Sequence, residues 1–592
     1  MHRFLLPALL VGLASFSHAS ENWSNDLRPL ETDDWNYQTA AHLLERAGFG
    51  GTPDDVERLA RLTPEEAVDY LVDFESVDEP TLTPFEHSGV WNEAMDPFPK
   101  SRAEAVRQAR EHGESMGVKV NLEGTRRIQP IVNEFFYCLR ANEMELRRLS
   151  TWWADRMLTT PRPLQEKMAL FWHGHFATSD TKVRDYRKML LQLELFQAKG
   201  LGNFRDLVLG VTQDPAMLVF LDNGQNVKAH PNENFGRELM ELFTMGDGNY
   251  SENDIREASR AFTGWTDRKL EFVVLEEEHD TGKKTVLGKT GNFDGEEVID
   301  IIMGQPATAD RIVEKLYHFF VRGQLDSALH RTLAAQFRDG GYELKPLLKT
   351  IFLSKDFYSS ESRASLVKSP VQLAVSTYKR MGLDILPTVP DFNQTTGTLG
   401  QTLFRPPNVA GWAGGRTWIT PATLLERGNF IERTLFPDVA GFLARDGRIP
   451  YVYARVGQRL AQGMNITEAT MSGDSTFSKM VDADEDYNTR YGGYKGYVKA
   501  YEVLIPIPRE KADVDLVNMV RNAGASTVDE VVSYFTKRFL LVTPDESDRS
   551  ELVTFLNAKI QGSKLDYESQ NLESSLRELL HLVLSLPEYQ LS

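Results

Sequence analysis

Apolar residues recur every three to four positions in one segment after another of this chain, a period that limits it to a mainly α-helical body. Ala40 to Asp73 reads AAHLLERAGFGGTPDDVERLARLTPEEAVDYLVD. A first helix ends at Gly48, and two more open at Thr52-Pro53 and Thr63-Pro64 with acidic residues in the first turn. Ile128 to Leu158 and Leu164 to Asp180 carry further helical patterns, and amphipathic segments punctuated by Gly and Pro resume at Glu296. The character changes near 270–294, where EFVVLEEE and HDTGKKTVLGKTGNFDG predict a small β-hairpin excursion. Between 437 and 522 the period weakens and Gly, Tyr, Asp and Asn accumulate, which predicts a less regular region.

Met1 to Ala19 has the form of a secretory signal peptide: Arg3, an apolar run from Leu5 to Phe16, and the small-residue site Ser17-His18-Ala19. The expected location is secreted or periplasmic. The apolar run is short for a bilayer and no later stretch reaches that length, so no membrane span is expected in the mature chain. The remaining organisation reads as a main helical domain over 20–435, an irregular insertion or subdomain over 436–522, and C-terminal helices over 523–592 packed on the main body. The single cysteine, Cys138, rules out a disulfide framework and a cysteine-rich zinc site, and its apolar setting marks it as a core residue. A net charge of −19 without a basic tract argues against nucleic acid as a partner.

The densest chemistry lies between Asp214 and Trp265. On a continuous helix Asn234, Glu238 and Glu241 fall at spacings of four and three, with Phe235, Leu239, Leu242 and Phe243 on the opposite face. Arg237 is four residues from both Glu233 and Glu241, so it is placed to bridge two carboxylates. Two further strings stand out. One is the triplet His173-Gly174-His175 at the end of LQEKMALFWHGHF; the other is the Gly/Pro-rich FRPPNVAGWAGGRTWIT that starts at Phe404.

These strings, together with AAHLLERAGFG, DPAMLVFLDN, PNENFGRELMELFTMG and the run that ends ASRAFTGW, resemble the exported bacterial family catalogued as domain of unknown function 1800. The likeness runs from about Tyr37 to about Phe430, with a similar Pro-Glu-Tyr ending. It implies a largely helical exported protein and no settled activity. It also implies a partner, an exported alkaline-phosphatase-like companion protein.

Three chemistries suit the residues. In a metal site, His173, His175 and Glu238 would hold a divalent ion from neighbouring helices, with Glu241 as acid or base and Arg237 anchoring an anionic group. In glycoside hydrolysis, Glu238 and Glu241 would act as the carboxylate pair, and Arg405, Asn408, Trp412 and Trp418 would form the sugar platform. In the third, the charges lock helices and the two tryptophans pin a loop. Two residues two apart point to opposite sides of a helix, so the histidines share a metal only if the helix stops between them. No GxSxG elbow or P-loop is present. Two functional classes follow: a metal-assisted hydrolase of an extracellular or envelope polymer, or a non-catalytic binding or assembly protein working with the companion.

Overall fold

Thr52 and Thr63 each accept the amide of the residue three positions on, and the Asp55 and Glu66 carboxylates return the bond, so both Thr-Pro steps open helices. The computed structural model describes residues 23–77, 83–91, 99, 101–112, 128–442, 448–463 and 487–592; the leader-like Met1 to Ala19 lies outside them. Helices α1 (Tyr37–Arg46) and α2 (Pro53–Ala60) stand first in the described body. The spine is α3 (Gln129–Thr159), a helix of 31 residues buried along most of its length, and α4 (Pro163–His175) follows after the Thr160-Pro161 break.

The central segment departs from the continuous helix its spacing predicts. Only α5 (Glu233–Glu238) is α-helical; Leu239–Thr244 is a π-helix. The Met245 amide reaches the carbonyl of Met240, five residues back, and the Thr244 hydroxyl donates to that of Leu239 at 2.6 Å. A π-turn adds a residue per turn, so Met240 joins Phe235, Leu239 and Phe243 in the core while Leu242 is only half-buried.

The β excursion consists of two antiparallel hairpins. β1 (Trp265–Arg268) pairs with β2 (Glu271–Val274), and β3 (Lys284–Val286) pairs with β4 (Lys289–Gly291). Lys269 and Leu270 both take positive φ and form the first two-residue turn, so the excursion starts at Trp265.

Helices continue through α6 (Pro306–Phe320), α7 (Pro370–Met381) and α8 (Pro421–Leu435). Within 437–522 the described residues include the helices Tyr451–Ala461 and Leu516–Asn522, and between them α9 (Thr489–Val503). Gly492 and Gly496 of α9 lie directly on α3: a Cβ on Gly496 would fall 2.6 Å from the Phe136 carbonyl carbon. The Gly/Tyr-rich run is thus a close helix–helix contact. α10 (Val528–Phe539) and α11 (Leu572–Ser585) follow, and the C-terminal Ser592 exchanges backbone hydrogen bonds with Leu366 just before α7. Apolar residues from Leu30 to Tyr589 form one continuous buried cluster.

Candidate functional site

The His173-Gly174-His175 triplet ends α4, and its three residues reach three different partners. The Phe404 amide donates to His173 Nε2 at 2.9 Å, and the imidazole packs edge-on against Trp153 and Trp412. His175 turns the other way, as the helical period requires, and its Nε2–H donates to the Phe243 carbonyl at 3.0 Å. That carbonyl belongs to the end of the π-helix, where the repeat no longer supplies a donor. Between the two histidines, Gly174 lies under the Trp412 ring, and its carbonyl lies under Gly411. Burial depresses both imidazoles to about 3, so both are neutral.

The loop from Phe404 to Thr420 is held from beneath. Phe404 sits at φ +61°, its amide on His173 and its carbonyl on the Asp180 amide at 2.9 Å. Arg405 pairs with the buried Asp180 at 3.0 Å, and Asn142 donates to the other Asp180 oxygen at 2.8 Å. Burial raises the Asp180 carboxyl, with Arg405 drawing it back. Trp418 is buried, its ring 3.4 Å from where a Cβ on Gly400 would stand, while Trp412 is half-buried. Asn408 is exposed, and its side-chain oxygen accepts the Ala410 amide at 2.9 Å, closing a turn. Of the four residues of the expected sugar platform, Trp418 therefore faces the core, Arg405 is tied to Asp180, and Trp412 and Asn408 reach the surface.

On the central segment, Arg237 makes a bidentate pair with Glu252 at 2.7 and 2.8 Å and stands 4.0 Å from Glu233. Its second carboxylate is thus on the following helix, Glu252–Ala261, in place of the Glu241 that i,i+4 spacing offers. Glu241 accepts the Tyr250 hydroxyl at 2.9 Å. Glu238 is half-buried, and burial and then Glu241 raise its carboxyl. His173, His175 and Glu238 are not assembled as a ligand set. Each imidazole Nε2 is committed to backbone, and among the described residues no group of three or more His, Cys, Asp or Glu side chains is poised around a metal.

Sequence reasoning missed the buried charges and cavities around the Gly50-Gly51 turn. Glu45, wholly buried on α1, receives Arg380 at 2.8 Å and the Gln372 amide at 2.8 Å, with Lys368 at 4.0 Å and Lys167 on the far side of Gln372. Burial alone would raise the Glu45 carboxyl; Lys368 and Arg380 hold it at about 2. A cavity of about 800 Å³ opens beside Gly50, lined by Asp55, Arg58, Tyr70 and Lys379, and a second of about 400 Å³ lies beside Gly51. The local signal was Glu45-Arg46 inside an otherwise apolar helix end that leads into Gly-Phe-Gly-Gly; the partners on α7 are more than 300 residues away and carry no local signature.

Fold and site together define a mainly helical protein in which a helix-terminal histidine pair joins a π-helix to a pinned surface loop. The chain matches the family described as protein of unknown function (DUF1800) over residues 42–591, nearly its whole length, and it belongs to that family. No curated protein and no solved structure gives a significant match. Among the described residues no helix is long and apolar enough to cross a membrane.

Proposed function

We propose that this chain is a non-catalytic binding protein acting outside the cytoplasm, whose loop 405–420 and the first turns of α8 form the contact surface for an exported alkaline-phosphatase-like companion. One observation carries the reading: the loop is fixed from beneath by His173, Asp180 and Gly174, while its outer side and the next helix turns stay open. Arg416 and Thr417 are exposed, and Leu424 and Leu425 on α8 are 48% and 68% exposed. A loop pinned from beneath and followed on α8 by two solvent-facing leucines suits protein contact better than chemistry. The metal-assisted hydrolase has less behind it, since its two imidazoles hold backbone groups. The leader-like Met1 to Ala19 supports the location.

Size-exclusion chromatography of the mature chain mixed with the purified companion tests this. The wild type is expected to comigrate, and a Leu424→Asp/Leu425→Asp variant to elute alone with an unchanged thermal melt. Comigration that survives both substitutions would remove this surface. Turnover of an envelope polymer that vanishes in Glu241→Gln would return the chain to the hydrolases.

A further inference from the structure

The 400 Å³ cavity between α1, α7 and α10 is lined by four cations, Arg380, Lys537, Arg538 and Arg549, and by no carboxylate among the described residues. On a chain of net charge −19 that is a local inversion of sign. Two of the four are neutralised from behind: Arg380 by Glu45 at 2.8 Å and Arg549 by Asp529 at 2.7 Å. Lys537 and Arg538 have no carboxylate partner among the described residues. Arg538 donates to the Arg380 carbonyl at 2.7 Å and to the Tyr534 hydroxyl at 2.8 Å, while Lys537 lies 4.4 Å from the centre of the Tyr37 ring. Arg380 is 4% exposed, with its guanidinium spent on Glu45 and on the Arg538 carbonyl at 2.9 Å, so the open charge of the cavity is that of Lys537 and Arg538.

We propose that this cavity binds a small organic phosphate monoester, its dianionic head between Lys537 and Arg538 and its carbon portion on the apolar wall. Two uncompensated cations match a dianion, which a phosphate monoester approaches at neutral pH and a carboxylate or sulfate ester does not. The volume sets the rest. A cavity of about 400 Å³ exceeds a bare phosphate and falls in the range of small-molecule sites. Val56, Leu541 and Val542 supply apolar lining, and the Ser533 hydroxyl lies in reach of the same space. This site is separate from the loop 405–420 surface and does not depend on it.

Isothermal titration of the mature chain with phenyl phosphate tests the assignment, with inorganic phosphate, phenyl sulfate and benzoate as parallel arms. One saturable site per chain is expected for the phosphate ester. Loss of one charged hydrogen bond in Lys537→Met or Arg538→Met should weaken it about tenfold or more. The Lys537 side chain is exposed and, among the described residues, makes only the ring contact, so Lys537→Met carries the test even if Arg538→Met, which releases the Arg380 carbonyl, loses its fold. Absence of saturable binding by the wild type, or equal affinity in Lys537→Met, would overturn the site. Benzoate or phenyl sulfate binding as tightly as the phosphate ester would overturn the dianion assignment, and inorganic phosphate binding as tightly would overturn the organic portion.

Discussion

Gly411 stands so close over Gly174 that a Cβ on Gly411 would fall 2.0 Å from the Gly174 carbonyl oxygen. The Gly/Pro-rich loop and the histidine triplet therefore meet backbone to backbone, and no side chain fits between them. Gly411 also sits at φ +78°, where an L-residue is strained. Strain and overlap together should make Gly411→Ala destabilising by about 3 kcal/mol or more in urea melts. Gly415→Ala is the control: its φ is +56° but nothing among the described residues lies within 4 Å of a new Cβ, so about 1 kcal/mol is expected there. Equal losses at the two positions would show that the loop does not seat on Gly174.

The two histidines predict an acid-sensitive fold. Burial holds both imidazoles at about 3, against 6.5 in an unfolded chain. Above about pH 6.5 neither state takes a proton; between about 6.5 and about 3 the unfolded chain does and the folded one does not. Stability should thus fall with pH through that window, by up to about 1.4 kcal/mol per unit for each ring. His173→Leu should lower stability at pH 8 by about 1–3 kcal/mol, because the Phe404 amide loses its acceptor, and should flatten the acid slope. Wild-type and variant slopes that run parallel from pH 7 to 4 would dismiss the buried neutral imidazole.

What the sequence made legible was local. The Thr52 and Thr63 caps follow from Thr-Pro plus an acid three residues later, and the opposite directions of His173 and His175 follow from the helical period. Their destinations, 231 and 68 residues away, do not. Nothing in Leu239–Thr244 distinguishes a π-turn from an α-turn, since the same apolar residues suit both, so the α-helical period does not hold through Glu241. The turn at Lys269-Leu270 was missed because neither residue is one that favours positive φ. Arg237 illustrates the general limit: spacing offers Glu233 and Glu241, but the tightest partner is Glu252, brought in by the next helix.

Cys138 offers a probe that does not depend on any functional reading. It is 2% exposed on α3, and burial raises its thiol far above the ordinary range, so the thiolate that reacts with disulfide reagents is absent from the folded chain. Native protein should give no thiol titre with a chromogenic disulfide at pH 8, and one equivalent per chain in denaturant. A prompt native titre would mean that α3 is not packed at this position, and with it the contact that Gly492 and Gly496 make on the same helix.

Glu45 is the residue on which the buried charges turn. It is the only carboxylate within 4 Å of Arg380 and Lys368 among the described residues, and both cations are almost fully buried. Glu45→Gln keeps the shape and a hydrogen-bond acceptor but removes the charge, leaving two buried cations uncompensated. Breaking a buried pair in this way typically costs about 3–5 kcal/mol. The sign of the pH dependence follows from the direction of the shift. With the folded carboxyl at about 2 and the unfolded one at 4.5, its contribution is complete above about pH 4.5 and is lost as pH falls through about 2. Burial meanwhile depresses Lys368 to about 7, and Glu45 is the charge that opposes that shift; without it Lys368 should shed its proton at lower pH still. Urea melts of Glu45→Gln between pH 5 and 9 check the charge loss and the Lys368 shift. The variant should be markedly weaker at pH 5 and recover part of the difference by about pH 7, above which Lys368 is neutral in both folded chains and the two stability curves should run parallel. A variant as stable as the wild type at pH 5 would show that Arg380 and Lys368 do not rely on Glu45.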